Sequence, residues 1–257
     1  MSIIPVPANL EMINSVGSQK FPINAFLAIQ KEQMGHTVTP EQICQSKSIM
    51  FGIPHENVLA YVAMIDAKIC GVSYLWTRNL TNADSDLIFV ETQEGLLLTP
   101  INKAISTAFN HPNKSIYELE FGGTYVDKEQ RGKGIYSKLF DQRVQTISAI
   151  QNGEFQLLNG GETVATENVF TTLTAKGPHS DNSKLAEIKK QMKAGDVLSF
   201  EKLSEIGIQH KTIGDAREES QASKHIAEKK TNMQLIGFSS NNLGPIYALP
   251  LLKFGKK

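Results

Sequence analysis

The segment YVDKEQRGKGIYSKLF (residues 125–140) joins a β-type run to an amphipathic helical pattern through two glycines, Gly132 and Gly134. A glycine loop that opens a helix leaves backbone N–H groups without intrahelical acceptors at the positive end of the helix dipole. Glycines also lack the Cβ atoms that would keep a ligand at a distance, and Arg131 and Lys133 add positive charge. The segment therefore predicts a binding site for an anionic group such as a pyrophosphate. A plain turn without a ligand is the alternative that these residues leave open.

Spacing excludes two common phosphate-binding motifs. A P-loop needs a glycine at the position that Asp127 occupies. A dinucleotide fingerprint needs a third glycine or alanine where this chain has Ser137, and the polar residues 127–130 make the link between strand and helix too long for its tight turn.

What remains is Arg-Gly-Lys-Gly shortly after a strand that ends in Val126. This segment resembles the coenzyme A loop of the GNAT superfamily of N-acyltransferases, whose signature is [Q/R]-x-x-G-x-[G/A]. Arg131 and Gly134 match the signature, whereas Tyr136 stands where the family has a small residue. Because the loop contributes backbone amides, this tyrosine must point away from the diphosphate or alter its approach.

Periodicity and turn residues predict an order of elements that is also similar to that of the superfamily. We expect helices over 22–34, 39–52, 99–109, 135–149 and 183–192, and strands over 57–65, 68–76, 87–90, 116–126, 168–176, 233–238 and 245–252. The helix over 99–109 is expected to be capped by Thr99 and Pro100, and the one over 135–149 to carry an apolar stripe of Ile135, Leu139, Val144 and Ile147. The resemblance covers residues 116–139 closely and the remainder loosely.

The resemblance implies an α+β fold with a mixed, mostly antiparallel central sheet that is flanked by helices and splayed at the CoA-binding strand. We expect a single acyltransferase domain over residues 1–257, with insertions near 80–115 and 193–230. The Gly122-Gly123 pair would be the bulge that creates the splay; from the residues alone, a simple kink is the alternative.

Composition limits the partners. Lysine plus arginine and aspartate plus glutamate both number 26, so no net field favours nucleic acid or a membrane surface. Cys44 and Cys70 form no CxxC pair, and the N-terminus MSIIPVPANLEM has neither the charged region nor the apolar run of a signal peptide. The six histidines show no metal-ligand spacing. We therefore expect a cytoplasmic protein without metal, nucleic acid or membrane partners.

Acetyl-CoA is the co-substrate that the resemblance implies. Its pantetheine arm would contact the backbone of Thr124, Tyr125 and Val126. Its diphosphate would lie against Arg131, Gly132, Lys133, Gly134, Ile135 and Tyr136.

Acyl transfer to an amine needs a group that removes a proton, because a lysine-type amine has a pKa of about 10.4. Glu118 and Glu120 lie two residues apart, which places both on one face of a predicted strand. The resemblance favours Glu120 as the general base, although a solvent-facing or ion-paired role remains open for either residue.

Many relatives carry a tyrosine as general acid where this chain has Met233. Tyr117, Tyr247 and His179 are candidates that the sequence leaves unassigned.

The resemblance thus implies a CoA-dependent N-acyltransferase that transfers acetyl directly to a primary amine of a small molecule or protein. No acyl-enzyme is expected, because neither cysteine lies near the glycine segment in sequence. A catalytically inactive CoA-binding regulatory module and a succinyl-CoA-dependent transferase are the alternatives.

Overall fold

The computed structural model describes residues 2–7, 58–65, 68–81, 86–112, 115–154, 156–159, 162–179 and 181–255. Its strands are β1 (Ser2–Pro7), β2 (Val58–Ile65), β3 (Lys68–Asn79), β4 (Leu87–Glu91), β5 (Gly95–Pro100), β6 (Tyr117–Val126), β7 (Leu158–Asn159), β8 (Glu162–Thr163), β9 (Val169–Thr174), β10 (Val197–Ser199), β11 (Gln234–Ser239) and β12 (Pro245–Pro250). Its α-helices are α1 (Ile101–Phe109), α2 (Ile135–Gln151), α3 (Ser183–Gln191), α4 (Phe200–Glu205) and α5 (Gln221–His225). The helices predicted over 22–34 and 39–52 lie outside the described residues.

The chain divides into two compact units. The first comprises Met1–Arg78 and Leu119–Thr166, and the second comprises Asn79–Glu118 and Glu167–Lys257. The single domain expected from the sequence stays a prediction, and each unit is described separately below.

The first unit contains four strands in the order β1-β2-β3-β6. The hairpin of β2 and β3 is confirmed, with Val58 paired to Trp76 and Ile65 to Lys68. Strand β1 pairs antiparallel with β2 and was not predicted, because its sequence SIIPVP contains two prolines. Proline is tolerated in a strand that has a neighbour on only one side, and β1 ends the strand order.

Helix α2 covers the strands of the first unit and lies against β1 and β2. Its buried face consists of Ile135, Leu139, Phe140, Arg143, Ile147 and Ile150. Apart from the adjacent pair Leu139 and Phe140, these positions recur every three or four residues, as one face of an α-helix requires. The helix was predicted correctly in extent, but Val144 is only half-buried and Arg143 occupies the inner face instead.

The second unit contains six further strands in the order β9-β12-β11-β4-β5-β10. Their pairings are antiparallel, and the hairpin of β11 and β12 and the short strand β4 confirm the predictions. Strand β5 was missed, because its Thr99-Pro100 ending was interpreted as the start of a helix. Thr99 in fact pairs with Ile88, and Pro100 is the N-cap residue of α1.

Residues 193–230 also contribute to the core of the second unit. Leu198 of β10, Leu203 of α4 and Ile208 pack with Phe89 and Phe238 in one buried cluster. The sequence indicated an insertion near 193–230 but did not indicate these apolar contacts. The fold class is nevertheless confirmed: the protein is α+β, with a mostly antiparallel sheet flanked by helices.

Candidate functional site

The segment between β6 and α2, residues 127–134, is called the glycine loop below. Its first half is a 3-10 turn over Lys128–Gln130, and the Asp127 carboxylate accepts a hydrogen bond from the Glu129 N–H at 3.2 Å. The Asp127 N–H donates to the Cys70 carbonyl oxygen of β3 at 2.9 Å. The protein's own hydrogen bonds therefore fix the start of the loop, and the glycines follow it.

Gly132 and Gly134 both adopt the left-handed conformation, with φ angles of 78° and 74°. Residues with a side chain rarely adopt it, which accounts for glycine at both positions. A Cβ built on either residue would have no atom of the described chain within 4 Å. The glycine loop thus presents an unobstructed backbone surface at the start of α2.

The start of α2 has the features of an anion-binding helix terminus. Gly134 is the N-cap residue, no side chain caps the helix, and its first turn contains no acidic residue. The Lys138 N–H donates to the Gly134 carbonyl oxygen at 3.1 Å, so the N–H groups before Lys138 precede the intrahelical ladder. The helix dipole adds partial positive charge there.

The two cations on either side of Gly132, Arg131 and Lys133, are exposed, and their side chains contact neighbouring residues of the chain. Arg131 Nε donates to the Val126 carbonyl oxygen at 3.2 Å, and Lys133 Nζ donates to Gln130 Oε1 at 2.8 Å. The positive charge therefore stays beside the glycines. Arg131 also fixes the last residue of β6, the strand predicted to contact pantetheine.

The end of β6 is joined to β3 by side chains as well as by backbone. The hydroxyl groups of Thr124 and Ser73 lie 2.9 Å apart. Gly122 and Gly123 both lie within β6, and the bulge expected at this pair stays a prediction.

Tyr136, which replaces the small residue of the GNAT signature, forms a side-chain hydrogen bond with Arg143. Arg143 is only 1% exposed. Burial lowers the pKa of Arg143 to about 10, while the hydrogen bond to Tyr136 and the Tyr61 hydroxyl act in the opposite direction. The guanidinium is therefore protonated at neutral pH. This hydrogen bond engages the tyrosine hydroxyl with a buried residue of the same helix.

Arg143 is the residue of this region that sequence reasoning missed. It lies four residues after Leu139 and four before Ile147, and this spacing places all three on one helical face. The spacing indicates an inward position for Arg143. A charged residue is almost never fully buried unless it is paired, however, so the sequence alone favours the apolar Val144 for the inner face.

Glu118 and Glu120 have different environments on β6. Glu118 is 2% exposed and accepts a hydrogen bond from the Thr172 hydroxyl at 2.6 Å. Glu120 is half-buried. A general base must reach the proton that it removes, and Glu120 is the more exposed of the two carboxylates. The catalytic role of Glu120 stays a prediction.

The side chains considered as general acid belong to the second unit. The Tyr247 hydroxyl donates to Glu228 Oε1 at 2.9 Å, and burial followed by the Glu228 contact raises the pKa of Tyr247. Burial lowers the pKa of His179. Tyr117 is half-buried and Met233 is buried. No role as general acid follows for any of them.

Cys70 lies next to the glycine loop in space, although it is distant from the loop in sequence. Its carbonyl oxygen accepts the Asp127 N–H, and its buried thiol donates to the Ala63 carbonyl oxygen at 3.2 Å. Burial, with a further contribution from the Asp127 charge, raises the pKa of the Cys70 thiol. The expectation that acetyl passes directly to the amine therefore rests on the burial and raised pKa of this thiol, and not on its distance from the loop.

We expect no acyl group on Cys70 after incubation with acetyl-CoA in the absence of an amine, because a buried thiol with a raised pKa is a poor nucleophile. Intact-mass spectrometry followed by peptide mapping tests this. A thiol reagent added after denaturation is the positive control for detection of the Cys70 peptide. An acetyl group that maps to Cys70 and is lost on addition of an amine would contradict direct transfer.

No group of three or more histidine, cysteine, aspartate or glutamate side chains is placed to hold a metal ion in the part of the chain that the structure describes. No described helix is both long and apolar enough to span a membrane.

The chain is similar to several solved structures over most of its length. An N-acetyltransferase from Staphylococcus aureus Mu50 is 12% identical, with 98% of this chain and 99% of that chain covered and a TM-score of 0.40. A GNAT-like decarboxylase, GphF, in complex with isobutyryl-CoA is 11% identical, with 98% and 100% covered and a TM-score of 0.42. An aminoglycoside antibiotic 6'-N-acetyltransferase from Acinetobacter haemolyticus is 13% identical, with 78% and 97% covered and a TM-score of 0.32.

No protein-family model matches the chain, and no curated protein is significantly similar to it.

Proposed function

We propose that the chain is a CoA-dependent N-acyltransferase that transfers an acetyl group from acetyl-CoA to a primary amine. The observation that supports this most is the pair of left-handed glycines before α2, Gly132 and Gly134. A Cβ on either would meet no atom of the described chain within 4 Å, and two lysine or arginine side chains lie beside them. Backbone amides, a helix dipole and cations in one place suit a diphosphate.

The proposed binding mode uses the backbone of two consecutive segments of the first unit. The amides from Arg131 to Tyr136 would hold the diphosphate, and Thr124, Tyr125 and Val126 would hold the pantetheine arm. The contacts of Asp127 with Cys70 and of Arg131 with Val126 stabilise the link between these segments. A link held in place before binding lowers the entropic cost of ordering the site.

In the proposed reaction, the amine nitrogen attacks the thioester carbonyl carbon, a C–N bond forms, and the C–S bond breaks. The CoA sulfur leaves as thiolate and takes up, directly or through water, the second proton that the nitrogen releases as the amide forms. The ammonium proton goes to Glu120, directly or through one water, so that the amine is neutral when it attacks. No co-reactant beyond acetyl-CoA and the amine is needed.

A second candidate function is a CoA-binding regulatory module without catalysis. The observation in its favour is Met233, a buried apolar side chain at the position where the resemblance implies a tyrosine acid. A thioether cannot donate a proton to a thiolate.

Steady-state release of CoA thiol separates these functions. The full chain is incubated with acetyl-CoA or succinyl-CoA and a panel of amines that includes polyamines, amino sugars and a lysine peptide. We expect saturable acetyl-CoA binding by calorimetry and amine-dependent thiol release with at least one acceptor. Binding without release for any donor and amine would favour the regulatory module, and failure to bind CoA would contradict both candidates.

A further inference from the structure

We propose that Arg143 is a positioning residue. It holds the glycine pair of β6 and the first turn of α2 at the separation that one bound CoA molecule requires. This inference rests on the proposed function. It adds a residue outside the GNAT signature and gives Tyr136 a specific role.

Arg143 reaches β6 from the inner face of α2. Its Nη1 donates to the Gly122 carbonyl oxygen at 3.1 Å. Its guanidinium carbon lies 5.0 Å from the centroid of the Phe121 ring and 5.6 Å from that of Phe140, and these two rings stack with centroids 5.2 Å apart. Arg143 is therefore fixed against the residue before the glycine pair and against the first glycine itself.

The same guanidinium also holds the start of α2, through its hydrogen bond with the Tyr136 side chain. Arg143 lies seven residues after Tyr136, two turns along the helix, so the long side chains of both residues are needed to meet. Glycine or alanine at position 136 could not make this contact. One hydrogen bond thus links Tyr136, which departs from the GNAT signature, with the buried Arg143.

A single CoA molecule would have to touch both segments that Arg143 joins. Its pantetheine arm would follow the end of β6, and its diphosphate would lie at the first turn of α2. The affinity of a ligand that bridges two subsites depends on its affinity for each subsite. It also depends on how well the distance between the subsites matches the length of the ligand. A residue that fixes this separation affects the whole ligand more than its fragments.

The test compares intact CoA with two fragments, ADP for the diphosphate and pantetheine for the arm. Arg143→Met removes the charge and both hydrogen bonds while keeping much of the packing volume. We expect its affinity for CoA to fall by about tenfold to a hundredfold, within the range that bridging of two subsites provides. Its affinity for ADP and for pantetheine, measured by NMR titration, should each change by less than about twofold, because neither fragment spans the two subsites.

Tyr136→Phe supplies a second variant that removes only one hydroxyl, and it carries the test if Arg143→Met does not fold. It should lower CoA affinity less than Arg143→Met does. The double variant should lose no more CoA affinity than Arg143→Met alone, because both changes remove the same hydrogen bond. Gln145→Ala is the matched control. Gln145 Oε1 accepts a hydrogen bond from Gln142 Nε2 at 2.8 Å on the exposed side of the same helix, so its loss perturbs α2 away from Arg143 and should leave CoA affinity unchanged.

The outcomes are distinguishable. Folded variants with unchanged CoA affinity would overturn the positioning role, as would a fall in ADP affinity as large as the fall for CoA. A wild-type chain that binds CoA in the same assay leaves the proposed function standing in both of these cases. A wild-type chain that binds none of the three probes would overturn the proposed function, and the inference with it.

Discussion

Gly134→Asp is expected to weaken acetyl-CoA binding by about a hundredfold or more. Position 134 is the N-cap of α2, and a Cβ there has open space, so the carboxylate would occupy the proposed place of the diphosphate. Two like charges about 4 Å apart repel by roughly 1–4 kcal/mol between bulk water and a protein surface, and the diphosphate carries two. The same carboxylate would also accept the N–H groups that the ligand needs.

The variant should remain folded, which makes the measurement clean. Aspartate is among the better residues at an N-cap and among the few that tolerate the left-handed conformation, and its charge suits the N-terminal end of the helix dipole. The left-handed φ angle of 74° at position 134 opposes these gains, so thermal unfolding should show a modest destabilisation, while calorimetry shows the loss of binding.

Two controls sharpen this prediction. Gly134→Asn has nearly the same shape without the charge and should lose less affinity than Gly134→Asp. Gly153→Asp places a carboxylate just after the other end of α2, at a glycine with a φ angle of 75° and open space for a Cβ, and it should bind acetyl-CoA like the wild type. If Gly134→Asp binds as tightly as Gly153→Asp, the diphosphate site lies elsewhere.

Glu120→Gln is expected to reduce turnover at pH 7 by about 10²–10⁴-fold, the usual contribution of a general base. Acetyl-CoA affinity should change little, because the glycine loop lies beyond the end of β6. The loss should shrink as the pH approaches the amine's pKa of about 10.4, since more amine is then already neutral and the base has less to do. Steady-state kinetics as a function of pH, with KM and kcat determined separately, would measure this.

Glu118→Gln is the matched control on the same strand. Glutamine keeps an oxygen that can accept the Thr172 hydrogen bond of Glu118, so turnover should stay near that of the wild type. If Glu118→Gln loses turnover and Glu120→Gln does not, the base is Glu118. If Glu120→Gln only lowers the unfolding temperature, with normal kinetics, Glu120 has a structural role.

Local patterns in the sequence were sufficient to predict those helices and strands whose stabilising residues lie close together in the chain. The hairpin of β2 and β3 has alternating β-branched and aromatic residues around a short turn, and α2 has its helical periodicity. The glycine loop was also indicated by its own residues, because two glycines between a strand and a helix leave the backbone open to a ligand. The proposed anion site therefore depends mainly on a few consecutive residues.

Elements that depend on distant partners were missed or misassigned. Strand β1 contains two prolines and is stabilised by pairing with β2, more than fifty residues away. Strand β5 ends in Thr99-Pro100, which is also a good helix start, and only its pairing with β4 shows where the strand ends. In both cases, hydrogen bonds to another segment outweigh the local preference.

The sequence by itself determined the glycine loop and the helix that follows it, since both follow from backbone preferences and apolar periodicity over short stretches. The α+β class was implied by the resemblance to a known superfamily. Only the tertiary structure placed Cys70 beside the loop, gave Glu118 a buried hydrogen bond with Thr172, and turned Arg143 inward toward Gly122 and Tyr136. The physical reason is that burial and hydrogen bonding depend on which segments meet in space. A charged residue is costly to bury alone, so its position on an inner face becomes understandable only when its partners are known.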